Sequence, residues 1–232
     1  MIQVRRRSEI FRAEGGWFTG YWHFSFDQYY DPENMGFGTL RVFNVDTLQP
    51  GAVWPLHPHR DNEVVTYCVE GEFRHEDNLG NDGVLRPGDV QHTTIGRGMW
   101  HSEINNRPDA PMTFVQIWIR PAVLGLPPSV EQKHVRPEER LNRFLPLVSN
   151  RHPDALPIRQ DSEVYAADVE PGVELSLPLE AGYGAYFYVV RGRVSIDGQE
   201  MREGDAAKVR DVRALKVMGL ERSEVLTVVV RV

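Results

Sequence analysis

The chain has 232 residues, of which 41% are hydrophobic and 25% are charged, as in ordinary globular proteins. Its net charge of −7 argues against a dedicated nucleic-acid binder, whose surface would be basic. The single cysteine, Cys68, excludes an intramolecular disulfide, and no apolar stretch approaches the roughly 20 residues of a membrane-spanning helix. Since the N-terminus also lacks a hydrophobic signal region, we expect a cytoplasmic protein with no membrane contact.

Aromatic residues alternate early in the chain, at Trp22, Phe24 and Phe26. Alternate residues of a β-strand point to one face of the sheet. These three side chains therefore form either the wall of a pocket for a flat aromatic ligand or part of the hydrophobic core.

Strand patterns dominate the first half of the chain. The predicted strands are Leu40–Val45, which alternates, Val64–Val69, and Thr113–Ile119, which is apolar on nearly both faces. Cys68 lies within the second of these, where a small buried side chain is the expected role. Helical periodicity is weak throughout, so the sequence predicts a sheet-rich fold.

Two pairs of potential metal ligands stand out, His57 with His59 and His101 with Glu103. Within each pair the residues are two apart, so one β-strand can aim both donors into the same space. Three imidazoles and one carboxylate on neighbouring strands suit Fe(II), Mn, Ni, Cu or Zn. The remaining histidines lack this pairing and are interpreted as ordinary structural residues: His23, His75, His92, His134 and His152.

The middle of the chain is rich in proline. Eight of the 16 prolines lie between Pro121 and Pro171, a density that interrupts regular structure and predicts a connector between two domains. From about Asp161 the sequence again shows the pattern of short strands separated by turns.

The two halves also show a common pattern. The strand that ends at Gly71 and the turn at Gly88 correspond to the strand that ends at Gly192 and the turn at Gly204. The glycines are 17 residues apart in the first copy and 12 in the second, so the first has a longer hairpin tip. This pattern favours duplicated barrels. Because no histidine follows His152, the second copy cannot hold an equivalent imidazole site.

The motifs resemble a known superfamily and one family within it. Gly51, His57-x-His59, Glu63 and Gly71 resemble the first cupin motif, and Gly96-x-Gly98-x-x-His101-x-x-x-Asn105 resembles the second. The runs at 57–63, 72–81, 87–91 and 96–103 are similar to the pirin family in particular. The likeness is strong over residues 17 to 132 and looser afterwards.

The resemblance implies an all-β bicupin, in which two antiparallel β-barrels of the jelly-roll type are joined by the proline-rich connector. Residues 1–132 would form an N-terminal metal-binding cupin barrel, and residues 133–232 the connector and a C-terminal cupin barrel without a metal site. The family binds one divalent transition metal, usually Fe(II), while Mn, Ni, Cu, Co or Zn also suit the ligands. By position, those ligands are His57, His59, His101 and Glu103.

Two nearby polar residues are left with alternative roles. Glu63 is either a partner that orients a ligand or a surface acid, because the bend after Arg60-Asp61-Asn62 leaves its facing open. Gln116 either donates a hydrogen bond near the pocket or is satisfied within the barrel wall.

The resemblance also implies a function. Several pirins resemble quercetin 2,3-dioxygenases, so we expect a metal-dependent enzyme that takes a small aromatic substrate and O2. Glu103 would be the catalytic base for the substrate hydroxyl. The rival hypothesis is a non-enzymatic iron or redox sensor that binds a regulatory protein partner, without direct contact to nucleic acid. The third hypothesis is a metal-dependent isomerase or a small-molecule binding module, since proteins with the cupin barrel include all of these.

Overall fold

The computed structural model describes all 232 residues. Strand β1 covers Ile2–Arg5, and a short 3-10 helix covers Arg7–Glu9. The next strands are β2 (Phe11–Glu14), β3 (Phe18–Trp22), β4 (Leu40–Leu48), β5 (Val53–His59), β6 (Glu63–Glu70), β7 (Phe73–Asp77), β8 (Asp82–Leu85), β9 (Val90–Thr94), β10 (Met99–Asn105), β11 (Met112–Ile119) and β12 (Ser129–Lys133).

One four-residue helix, α1, covers Pro137–Arg140. The remaining strands are β13 (Leu145–Ser149), β14 (Ser162–Val169), β15 (Glu174–Pro178), β16 (Tyr183–Arg191), β17 (Arg193–Ile196), β18 (Gln199–Arg202), β19 (Ala206–Val209), β20 (Ala214–Gly219) and β21 (Ser223–Arg231). The prediction of an all-β fold is confirmed, and β4, β6 and β11 contain the three strands predicted in the first half. Neither helix has the length and apolar composition needed to span a membrane.

Every strand pairing is antiparallel, and the strands form four sheets in two units. The first unit has a seven-stranded sheet of order β12-β9-β6-β11-β4-β3-β2 and a four-stranded sheet of order β5-β10-β7-β8. The second unit has a six-stranded sheet of order β1-β19-β16-β21-β14-β13 and a four-stranded sheet of order β15-β20-β17-β18. Strand for strand, β9-β6-β11-β4-β3 corresponds to β19-β16-β21-β14-β13, so the two units repeat one arrangement.

The repeated glycines have a structural reason. Gly71 and Gly192 follow the corresponding strands β6 and β16 and have φ angles of 78° and 82°. A Cβ atom would lie 2.7 Å from the carbonyl oxygen of Pro111 at the first and 2.5 Å from that of Arg222 at the second. Both turns therefore need the left-handed conformation and the close backbone approach that glycine allows.

The N-terminal strand crosses between the units. β1 pairs with β19, so Ile2–Arg5 adds to the sheet of the second unit, whereas the sequence prediction placed residues 1–132 together in the first. In the proline-rich stretch, β12 still pairs with β9 of the first unit. The boundary at 132/133 therefore remains a prediction. β1 is the exception, because it belongs to the first range by sequence but pairs within the second unit.

The two units share a core. A cluster of 25 buried hydrophobic residues combines side chains of both units, including Phe24 and Phe43 from the first and Tyr186 and Tyr188 from the second. Cys68, fully buried in a smaller cluster, is the small core residue that the sequence predicted. Burial raises the pKa of its thiol to about 12, so the unreactive thiol form dominates at neutral pH.

Candidate metal centre

Strand pairing brings the two predicted ligand pairs together. β5 pairs with β10, and His57 lies directly opposite His101. Potential donor atoms of His57, His59 and His101 all lie within 4.8 Å of one another. The ring centroids of His57 and His101 are 4.6 Å apart, and those of His57 and His59 are 4.7 Å apart. Three imidazoles from two strands therefore face one space.

The three rings have nitrogen atoms free for a metal ion. Both ring nitrogens of His101 are buried without a hydrogen-bond partner. Nδ1 of His57 lies 2.7 Å from the carbonyl oxygen of Pro55, which can only accept, so Nδ1 carries the proton and Nε2 is free. Since an unpartnered buried donor or acceptor is costly, this arrangement fits a cluster built to bind a cation.

The electrostatics also favour the ligand form of these histidines. Burial, followed by the neighbouring His57, lowers the pKa of His59 to about 4. Burial also lowers the pKa of His101 well below its usual range. Both rings are therefore neutral at pH 7, which is the state in which imidazole binds a metal.

Glu103 lies on the same strand but outside the cluster of three imidazoles. Between His101 and Glu103 the opposite residue on β5 moves from His57 to Trp54, so β5 carries a bulge here. The side chain of Glu103 is buried, and its Oε1 accepts a hydrogen bond from Nε2 of Gln116. The simple two-residue spacing did not predict this contact.

A chain of buried polar groups continues from Glu103. Gln116 accepts a hydrogen bond of 2.6 Å from the hydroxyl of Thr66, so its amide is fixed from both ends. Gln116 was predicted either to donate a hydrogen bond near the pocket or to be satisfied within the barrel wall. In the structure it donates to Glu103. Burial, followed by the nearby carboxyl of Asp46, raises the pKa of Glu103 to about 8.

Asp46 is a second buried acid that the sequence analysis missed. Burial raises its pKa to about 7, although Nε1 of Trp22 donates a hydrogen bond of 3.1 Å to its Oδ1. The charge of Asp46 disfavours ionisation of the nearby Glu103, because like charges repel. In the sequence, the only feature that marks Asp46 is its position in the alternating pattern of β4.

Glu63 is a buried partner of another histidine. It is fully buried, accepts a hydrogen bond of 2.9 Å from the hydroxyl of Thr94, and has its Oε2 3.0 Å from Nε2 of His92. The alternative of a surface acid is therefore wrong. His92, interpreted as ordinary, is buried with this carboxylate, and neither residue belongs to the cluster of three imidazoles.

His75 lies beside the cluster and was also interpreted as ordinary. Its ring centroid is 5.4 Å from that of His101, its Nε2 lies 2.9 Å from Oδ2 of Asp77, and Nε2 of Gln91 is 3.3 Å from its Nδ1. These partners hold both ring nitrogens of His75, which explains why a neighbouring imidazole stays out of the candidate site.

Of the two roles predicted for the alternating aromatic residues, Trp22 and Phe24 have that of core residues. Phe24 packs on Tyr186 in the core shared by the units, with 5.0 Å between ring centroids, and Trp22 is almost fully buried. Phe26 instead packs against Trp118, at 5.5 Å, and Trp118 packs against His59, at 4.7 Å. Trp118 therefore borders the imidazoles, and only Phe26 of the three predicted aromatics approaches them.

Comparison with known proteins assigns the family. Residues 3–119 match the pirin family, and residues 147–229 match a family described as the quercetinase C-terminal cupin domain. The chain belongs to the pirin family. The resemblance noted from the sequence is thus confirmed, and the second match extends it to the half where the likeness was looser.

Relatives of this pirin-family chain cover its whole length. It is 41% identical over 230 residues to a Pseudomonas aeruginosa protein named "Putative quercetin 2,3-dioxygenase", a match covering 98% of this chain and 99% of the relative. It is 33% identical to an Escherichia coli protein named quercetin 2,3-dioxygenase, with 97% of each chain covered. The crystal structure of the bacterial pirin YhhW from Escherichia coli in complex with nickel(II) superposes with a TM-score of 0.94, at 32% identity, covering 100% of this chain and 99% of YhhW.

Proposed function

We propose that this pirin-family chain is a metal-dependent dioxygenase that cleaves quercetin or a related flavonol with O2. The observation that carries the proposal is the group of three imidazoles with donor atoms within 4.8 Å of one another. The names of the relatives and the quercetinase match of residues 147–229 support the substrate class.

The proposed metal ligands are His57, His59 and His101, with Glu103 as the fourth. We favour one Fe(II) ion per chain, and Mn, Ni, Cu, Co or Zn suit the same nitrogen-rich set. The nickel(II) in the complex of the related YhhW supports a divalent ion as the metal of this chain. When bound, such an ion would act as a Lewis acid that holds a deprotonated substrate hydroxyl close to O2.

Glu103 is the proposed catalytic base. The O–H bond of the flavonol hydroxyl breaks, and the proton moves to a carboxylate oxygen of Glu103. A divalent cation close by favours the ionised carboxylate that can accept this proton. The hydrogen bond from Gln116 fixes the orientation of the carboxylate.

Trp118 and Phe26 supply the proposed contact for the aromatic substrate. Trp118 packs edge-on against His59, and Phe26 packs edge-on against Trp118. A flat flavonol that stacks along this wall would keep its hydroxyl near the imidazoles, because aromatic faces and edges attract one another.

We also propose that each unit is a cupin barrel, so that the chain is a bicupin of the jelly-roll type. The repeated strand order and the cupin match of the second half support this architecture. The proposed boundary stays near residue 132, apart from β1.

Oxygen uptake tests the proposed activity. Protein reconstituted separately with Fe, Mn, Ni, Cu or Co is mixed with quercetin and other flavonols, and we expect O2 consumption coupled to loss of the flavonol. The His57→Ala/His101→Ala variant is the control and should be inactive. Absence of turnover by wild type with every metal and flavonol would contradict the proposal and favour the iron or redox sensor that binds a protein partner.

A further inference from the structure

The second unit contains a cavity away from the three histidines. Its volume is about 720 Å³, within the range typical of small-molecule sites. The apolar part of the lining comes from Phe144, Pro146, Leu175, Leu177, Pro178 and Val229.

The cavity is bordered by the counterpart of a ligand-bearing strand. β5 is the first strand of its four-stranded sheet and β15 is the first strand of the equivalent sheet. β5 carries His57 and His59, whereas β15 carries Leu175 and Leu177. Leu177 lies opposite Leu215 in the pairing with β20, as His57 lies opposite His101 in the first unit. The second unit therefore has apolar side chains on the strand that corresponds to the histidine-bearing strand of the first unit.

Two buried polar side chains, Glu163 and Tyr165, line this cavity. Oη of Tyr165 donates a hydrogen bond to Oε2 of Glu163, and both residues line the cavity while being more than nine-tenths buried. Oε1 of Glu163 accepts a hydrogen bond of 3.3 Å from the hydroxyl of Ser149 and lies 3.8 Å from Nε of Arg151. A carboxylate can accept several hydrogen bonds, so Glu163 has capacity left for a donor brought by a ligand.

The charge of the lining disfavours anions. Its acidic residues, Asp161, Glu163, Glu174 and Glu180, outnumber its arginines, Arg143 and Arg151. Arg151 is already engaged, because its Nη atoms donate to Asp161 at 3.0 Å and to Glu180 at 2.8 Å. An anionic ligand would therefore meet uncompensated negative charge.

We propose that this cavity is a second, metal-independent binding site for a neutral, flat phenol. The ring would pack between Leu175, Leu177 and Phe144, and the phenolic O–H would donate to the carboxylate of Glu163. The site is independent of the imidazole cluster and does not rest on the proposed dioxygenase activity.

Titration with 2-naphthol, followed by its fluorescence and by calorimetry, tests the site. The full-length His57→Ala/His101→Ala variant removes the imidazole cluster and should still bind one 2-naphthol per chain. A Leu177→Trp substitution in that background fills the cavity and should abolish the binding, while Glu138→Gln, an exposed residue outside the cavity lining, serves as the control. Loss of binding in the double-histidine variant, or retained binding in Leu177→Trp protein that melts normally, would overturn the proposal.

A second arm varies the ligand, so it does not depend on how any variant folds. 2-Methoxynaphthalene keeps the ring and the oxygen but has no O–H to donate, and 2-naphthoate carries a negative charge. We expect both to bind about ten- to a hundredfold more weakly than 2-naphthol, as for the loss of a hydrogen bond to a charged acceptor. Equal affinity of either analogue would refute the assigned role of Glu163.

Discussion

The two units have the same strand order but different interiors. Within the first unit, buried polar side chains such as His101, Glu103, Asp46 and Gln116 occupy the interior, and its separate hydrophobic clusters hold six and three residues. The second unit has a cluster of 19 buried hydrophobic residues. The same framework therefore holds either a polar site or an apolar interior, according to the side chains on a few strands.

This difference also explains where the stability of the molecule comes from. The first unit buries charged and polar groups, which is costly unless each has a partner. Its large sheet packs on that of the second unit through a shared cluster of 25 residues. The apolar second unit thus supplies a scaffold on which the first can hold reactive groups.

The largest expected difference between the units is in metal content. Wild type should hold about one divalent metal per chain, and His57→Ala/His101→Ala should hold almost none, because two of three imidazoles are gone. His134→Ala/His152→Ala is the matched control, since neither histidine belongs to the cluster. Elemental analysis measures all three. Full metal content in the first variant would show that the ion binds elsewhere.

The next effect separates catalysis from metal binding. Glu103→Gln should lower turnover per bound metal by about 10²–10⁴-fold, the typical effect of losing a general base. Metal retention should fall less, because the three imidazoles remain. Oxygen uptake normalised to bound metal is the measurement, with the buried Glu63→Gln as the control acid. Equal turnover per metal in wild type and Glu103→Gln would exclude the base role.

A third prediction concerns the contact between the units. Arg140 of α1 is buried beside Glu224, at 2.9 Å, and Asp168, at 3.2 Å, and it also donates to the hydroxyl of Tyr67. Arg140→Ala leaves these carboxylates without their cation and should cost about 3 kcal/mol in the free energy of unfolding.

Denaturant unfolding of Arg140→Ala measures this cost. The control is Arg136→Ala, whose side chain is 70% exposed and whose loss should cost well under 1 kcal/mol. Because the units share a core, we expect one shifted transition. Two separate transitions in wild type would show that the units unfold independently.

The sequence predicted what depends on local spacing. The histidine pairs, the glycine turns and the alternating strands follow from the two-residue period of β-structure, and the absence of histidine after His152 marked the second unit as different. These features require no knowledge of which strands are neighbours.

The remaining features depend on distant parts of the chain. The bulge in β5 that changes the register beside Glu103, the pairing of β1 with β19, and the contact of Glu63 with His92 all join segments that the sequence separates. Spacing along one strand does not fix its partner or its register, so these contacts could not be predicted from periodicity alone.

The smallest expected effect compares one aspartate from each unit. Burial raises the pKa of Asp46 to about 7, whereas hydrogen bonds from Tyr183, Arg231 and Arg151 hold the pKa of Asp161 well below its usual range. Ionisation of Asp46 destabilises the fold, so this contribution to stability is lost as pH rises from about 4 through 7. Ionisation of Asp161 stabilises the fold, and that contribution is lost as pH falls below about 4.

Asparagine substitutions should therefore act in opposite directions. In metal-free protein, Asp46→Asn should be more stable than wild type at pH 8, with the difference vanishing near pH 4. Asp161→Asn should be less stable than wild type at pH 7, and the difference should shrink toward pH 3. Denaturant unfolding at each pH measures both. Parallel pH profiles for the two variants would contradict the contrast, because a carboxyl that is neutral when buried and one that is ionised when paired must respond to pH with opposite sign.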